Sequence, residues 1–241
     1  TARAGFDAIE WNIRNGGHVE PENVERDLPR AVALTRQAGL KVEMVTTSIQ
    51  DASSPYAEPI LRAMNREGIR CYRSSNYFTW DFAGDMPSQL AALKPKIASI
   101  EALNARYDTV TCFHNHPTLG DIGGNVWDLW LVLREFDPKY VGFNFDFCHT
   151  ASRLGGAWLP AAMVARPYMS AVAFKDFAWV KGGGGANAPV WTRERRPMGQ
   201  GMVDYAARLK FLRDSGYAGP INMHFEHYDI RGIGIGDMTA L

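Results

Sequence analysis

Cysteine is scarce in this chain: Cys71, Cys112 and Cys148 are the only three in 241 residues. Their spacings are unrelated, which excludes a disulfide framework and leaves the compartment open, cytoplasmic or exported. Excess charge of either sign is also missing, with 26 basic residues against 26 acidic ones. A neutral chain lacks the field that would draw it to nucleic acid or to an anionic membrane. Local basic groups, Arg193, Arg195 and Arg196, remain able to meet an anionic or polyhydroxylated ligand. No apolar run approaches the roughly 18 residues of a membrane span. No glycine-rich nucleotide loop follows any early strand, which disfavours a doubly wound open sheet.

What is present is a regular alternation. A hydrophobic content of 46% supports a substantial core. Short β-branched or apolar runs predict strands over 6–11, 41–49, 69–77, 108–114, 141–147, 171–176 and 220–225. Helical spacing falls between them, over 22–38, 55–67, 87–106, 126–136, 160–168 and 203–214. Strands that alternate with helices imply a parallel sheet with helices outside it. The expected fold is α/β, a single (β/α)8 TIM barrel over 1–241. The opening residues 1–6 read like the last turn of a helix running into a strand, as if the first strand of the barrel were missing. The stretch 178–202 carries little secondary-structure signal. It reads either as a lid beside the barrel mouth or as a disordered insertion.

Histidines are concentrated. Five of the six fall in Phe113-His114-Asn115-His116, Asp146-Phe147-Cys148-His149 and His224-Phe225-Glu226-His227. Each segment closes a predicted strand. Side chains alternate along a strand, so His114 and His116 share parity, as do Asn144 with Asp146 and His224 with Glu226. Polar groups sent to one side of buried strands need partners, water or a metal. Mixed nitrogen and oxygen donors suit a divalent transition metal (Mn, Zn, Co or Ni), with His114, Asp146, His224 and Glu226 as candidate ligands. Lys175, at the end of strand 171–176, could polarise a carbonyl or carry a proton, as could His116 and Glu226. Glu10, Arg73 and Trp80 end earlier strands and could line the same pocket. Aromatic faces beside polar groups suit sugar rings.

The motifs AGFDAIEWN, NHP, FDFCHT, FKDF, MGQGMVDY and GYAGPINMHFEHY occur in this order along essentially the whole chain. Together they resemble the sugar phosphate isomerase/epimerase family, the xylose-isomerase-like barrels that also include endonucleases of abasic sites. The resemblance implies a (β/α)8 barrel with a divalent metal at its C-terminal mouth. In the family's epimerases two glutamates, an aspartate and a histidine hold the metal, and the glutamates move the proton. The aspartate position falls on Asp146 and a substrate-binding histidine on His149. The two glutamate positions look like His114 and His224, and the remaining histidine position holds Ala173. The chain is most similar to a subgroup in which NH, D-x-x-H, KDF and H-x-E motifs occur together.

The expected activity is metal-assisted abstraction of a proton beside the carbonyl of a small carbohydrate. Isomerisation and epimerisation share that first step with β-elimination, so a keto-glycoside lyase or hydratase is the alternative. A non-catalytic sugar-binding barrel is the second alternative. Nucleic acid and membranes are not expected partners, and a homo-oligomer is possible.

Overall fold

Nine short strands form in the structure, a computed structural model that describes residues 1–183 and 189–227. They are β1 (Trp11–Ile13), β2 (Met44–Thr47), β3 (Cys71–Ser74), β4 (Val110–His114) and β5 (Val141–Asp146), followed by β6 (Met169–Phe174), β7 (Asp176–Lys181), β8 (Trp191–Arg196) and β9 (Ile221–Met223). Seven make one sheet in the order β1-β2-β3-β4-β5-β6-β9, and every neighbouring pair is parallel. The helices are α1 (Val24–Gln37), α2 (Ala57–Glu67), α3 (Met86–Tyr107), α4 (Trp127–Leu133), α5 (Phe147–Leu154), α6 (Trp158–Ala165) and α7 (Tyr205–Asp214). Consecutive helices α1 to α4 pack on one another outside the sheet, which makes the whole a partial (β/α)8 barrel.

The two faces of the sheet do different things. Outward residues such as Tyr72, Phe143 and Phe145 are wholly buried in the main core with the helices. Inward residues Met44, Cys71, Val110, Cys112 and Ala171 form a separate apolar cluster inside the curve. Parallel register carries each inward row from strand to strand: Thr46 lies beside Arg73, Arg73 beside Cys112, His114 beside Asn144, Asp146 beside Ala173 and Ala173 beside Asn222. An apolar floor therefore gives way to polar residues at the C-terminal strand ends.

Three sequence expectations need correction. The first strand begins at Trp11 rather than at residue 6, because only an isolated bridge from Ala8 to Lys41 precedes it. Phe147, read as the last residue of a strand, instead opens helix α5, which also holds His149, with Asp146 as its N-cap. The stretch 178–202 is not irregular throughout: 178–181 and 191–196 belong to the strands β7 and β8 of an antiparallel hairpin. Residues 184–188 of its glycine-rich tip lie outside the described residues, so the lid reading stays untested there.

Four amide groups fix the root of this hairpin. The buried Asp176 carboxylate accepts from Phe177 and Val203 through Oδ1, and from Gly199 and Gly201 through Oδ2. Gly201 passes so close that a Cβ there would collide with the Asp176 carboxylate. Only glycine fits.

Candidate active site

The ends of β4 and β5 bring three donors together. His114, Asp146 and His149 each offer a ligand atom within 4.8 Å of the others, and all three are buried. Asp146 divides its carboxylate between two tasks. Its Oδ1 accepts from the His149 amide at 2.8 Å and starts helix α5. Its Oδ2 is buried without a directed hydrogen bond, 3.5 Å from His114 Nε2 and 3.4 Å from His149 Nδ1. Asn115 clamps the backbone on either side. Its Nδ2 donates to the Asp146 carbonyl at 3.1 Å, and its Oδ1 accepts from the Asp146 amide at 2.6 Å.

The imidazole tautomers follow from fixed acceptors. His149 Nδ1 stands 3.1 Å from the Asn115 carbonyl, so it carries the hydrogen and leaves a lone pair on Nε2. His114 Nδ1 stands 3.2 Å from the Asn144 carbonyl, which assigns its lone pair to Nε2, the atom facing Asp146. The Asn144 amide lies 3.1 Å from the same Nδ1, and turning it over gives its buried oxygen a donor there. Burial lowers both histidines, His114 well below its ordinary value and His149 down to about 3. Neutral imidazoles beside a carboxylate oxygen with no directed partner are what a divalent transition metal requires.

Lys175 stands over this trio. Its buried Nζ is 3.2 Å from Asp146 Oδ2, 3.0 Å from Glu226 Oε1 and 3.5 Å from His224 Nδ1. Burial works against the ammonium, but Asp146 and Glu226 outweigh it and hold its pKa above the ordinary lysine value. A hydrogen bond between Glu226 and His224 does most to hold the Glu226 carboxyl below its usual range; burial opposes this and Lys175 adds to it. His116 is arranged differently. Its ring stacks on Tyr77 at 4.5 Å, and Asp121 Oδ2 takes a hydrogen bond from Nδ1 at 2.8 Å. Asp121 thereby fixes the tautomer that leaves Nε2 as a base. Burial lowers this histidine, while Asp121 pulls it back up.

A cleft of about 1310 Å³ opens beside His224 and Glu226, lined also by Glu10, Arg73 and Arg193. Glu10 and Arg73 pair at 3.0 Å on its wall, and Thr46 and Asn222 also donate to Glu10. Burial opposes ionisation of Glu10, but Arg73 and the donors keep it below its usual range. The metal-competent trio, Lys175 and His116 do not themselves line it, and Lys175 reaches it through its contacts with Glu226 and His224.

The predicted site residues thus fall into groups. His114 and Asp146 stand together with His149, expected from the resemblance as a substrate contact. His224 and Glu226 stand instead on the Lys175 side, with the ring of His224 6.0 Å from that of His114. Trp80 packs against the main core and does not line the cleft. Asp121 and Ser152 join the site without having stood out in the sequence; Asn115 lay within the NHP motif, which gave no sign of its role as a clamp.

The sequence matches the profile of one family, described as xylose isomerase-like TIM barrel, over residues 1–234. The chain belongs to this family. Among solved xylose isomerase-like folds it is similar to a xylose isomerase domain protein of Planctomyces limnophilus, at TM-score 0.71 and 14% identity, over 99% of this chain and 86% of that one. A 3-keto-D-glucoside 4-epimerase of E. coli superposes at TM-score 0.69 and 16% identity, over 92% and 83% of the two chains. A mannonate dehydratase of Streptococcus suis gives TM-score 0.67 and 16% identity, over 91% and 77%. At these identities the likeness establishes the fold alone. No curated protein matches the sequence significantly. Among the described residues, no helix of this xylose isomerase-like chain is long and apolar enough to cross a membrane.

Proposed function

We propose that this protein is a metal-dependent enzyme that removes a proton beside the carbonyl of a carbohydrate, as an isomerase or epimerase does. The observation that carries the reading is the buried Asp146 Oδ2, set between two neutral imidazoles and without a directed hydrogen bond. His114, Asp146 and His149 would hold the ion, and a divalent transition metal there supplies polarisation of the carbonyl and the adjacent hydroxyl. His116, oriented by Asp121, accepts the proton through Nε2. The Lys175 ammonium faces the negative charge that develops on the carbonyl oxygen, and Glu226 holds Lys175 in place. Glu10 and Arg73 bind sugar hydroxyls on the cleft wall. Solved relatives of the fold named as a keto-glucoside epimerase and a mannonate dehydratase support carbohydrate chemistry on this scaffold.

The same first step serves elimination. The Lys175 ammonium, 3.0 Å from Glu226 at the cleft, could steady a departing oxygen, and a solved relative of the fold is named a mannonate dehydratase, which makes a keto-glycoside lyase or hydratase the alternative. A metal-free sugar-binding barrel has one observation in its favour, the Lys175 ammonium 3.2 Å from the oxygen that a metal would need.

Elemental analysis of protein purified without chelator comes first, then deuterium incorporation into D-fructose and 3-keto-glucose in heavy water. About one metal ion per chain, lost in Asp146→Ala, with exchange lost in His116→Ala, is the expected result. Absence of metal after reconstitution with Mn, Zn, Co and Ni would leave the binding barrel standing. Metal without exchange would remove the proton-abstraction step.

A further inference from the structure

Three arginines line the cleft, and two already have acidic partners. Arg73 pairs with Glu10 at 3.0 Å, and Arg195 with Glu226 at 3.4 Å. Arg193 differs. Among the described residues no carboxylate lies within ion-pair distance of it, and its hydrogen bond to Ser152 Oγ is a long one, 3.5 Å. Arg193 is half-buried, in the middle of a six-pair antiparallel ladder opposite Trp179. The ladder is rooted at Asp176 by four amide hydrogen bonds, so the guanidinium is presented from a rigid strand. Ser152 connects it to the deeper site, since its hydroxyl donates to the His149 carbonyl at 3.0 Å.

A cation withdrawn partly from water and left without a counter-charge is unfavourable unless something else supplies one. The planar fork of a guanidinium matches a carboxylate with two parallel hydrogen bonds. Sugar hydroxyls would leave the charge unmatched. A phosphate dianion would call for more than one free cation, and the neighbouring arginines are already engaged. The cleft, at about 1310 Å³, is larger than one sugar ring and leaves room for a charged substituent. The chain as a whole is neutral, so placement rather than bulk attraction would select the anion.

We propose that the cleft takes a carbohydrate bearing a carboxylate, a sugar acid, and that Arg193 binds that carboxylate. The proposal rests on the reading of the cleft as a sugar site. The test is calorimetric titration of Mn-reconstituted full chain with D-glucuronate, D-glucose, D-glucose 6-phosphate and acetate at matched ionic strength. Glucuronate is expected to bind about tenfold or more tightly than glucose. Arg193→Gln should bring glucuronate to the level of glucose, and Arg193→Lys should restore part of the difference. Melting curves of both variants show whether the hairpin is intact. The assignment is overturned if glucuronate binds no better than glucose or not at all, if glucose 6-phosphate binds best, or if Arg193→Gln keeps the preference. Glucose and glucuronate bound alike would refute the carboxylate site and spare the sugar reading. Acetate bound through Arg193, with none of the sugars bound, would do the reverse.

Discussion

Replacing Asp176 tests whether one carboxylate roots the β7–β8 hairpin in the barrel. Oδ1 accepts from Phe177 at 2.9 Å and Val203 at 3.1 Å, whereas Oδ2 accepts from Gly199 and Gly201, both at 2.9 Å. Phe177 and Val203 are buried, and the two glycines are exposed. In Asp176→Asn the remaining oxygen can stay on the buried pair while the amide nitrogen faces the glycines, whose N–H groups turn to water. Losing two charge-assisted bonds to solvated donors costs about 2 kcal/mol. In Asp176→Ala the buried donors lose their acceptor as well, at about 1–3 kcal/mol each, for a total of about 4–8 kcal/mol. For a chain of this size, the melting temperature should fall by about 6 °C in the first variant and about 18 °C in the second. Circular dichroism melts give those values, and hydrogen exchange at the Phe177 and Val203 amides locates the damage. Two variants melting within about 2 °C of each other, with those amides still protected in the alanine variant, would refute the account.

Two further outcomes follow from the deeper site. Asn115→Ala removes both of its hydrogen bonds to the Asp146 backbone, and metal affinity should drop about 10–100-fold, as measured by competition with a chelating dye. A variant with unchanged affinity would show that the Asp146 position is set by its strand alone. The second outcome concerns acid. His149 is pushed down to about 3 in the fold but titrates near its ordinary value of roughly 6.5 when unfolded. The unfolded chain therefore takes up a proton that the folded chain refuses. Stability of the metal-free protein is full above that ordinary value and falls as pH drops toward the folded value, by at most about 1.4 kcal/mol per pH unit for this group. Asp146, Lys175, His116 and Arg193 all act on this ring. Urea midpoints at successive pH values should show a shallower slope in His149→Gln, and an identical slope would remove His149 as a source of the acid sensitivity.

Much of the architecture is legible in the chain because buried parallel strands read as unbroken apolar runs. Val141–Asp146, all six residues buried, is the clearest case. His114, Asp146 and His149 are visible because a polar residue ending such a run must find a partner, and two imidazoles and a carboxylate can share one. The hairpin is not visible for the opposite reason. The strand Trp191–Arg196 is largely exposed, so its alternation buries no apolar face, and four charged residues in a row read as loop. Helix α5 is hidden by its start, since the aspartate that caps it is also the last residue of β5. The Asn115 clamp spans 31 residues, and no local pattern announces a side chain that bonds to distant backbone. The division of the polar cluster between a deeper trio and a Lys175–Glu226 pair depends on which side of the cleft each strand end faces. Parity alone does not give that.

The two oxygens of Asp146 tie chemistry to architecture at one position. One begins a helix while the other faces the two imidazoles, so a change of side-chain length cannot adjust the second without disturbing the first. Glutamate would reach further toward the imidazoles and unseat the helix start; asparagine could keep the helix and lose the charge. Remodelling this barrel for a new reaction therefore has little freedom at its base. The surfaces open to redesign are the hairpin strand that carries Arg193 and the segment after β9 that carries Glu226, both of which can vary without a helix depending on them.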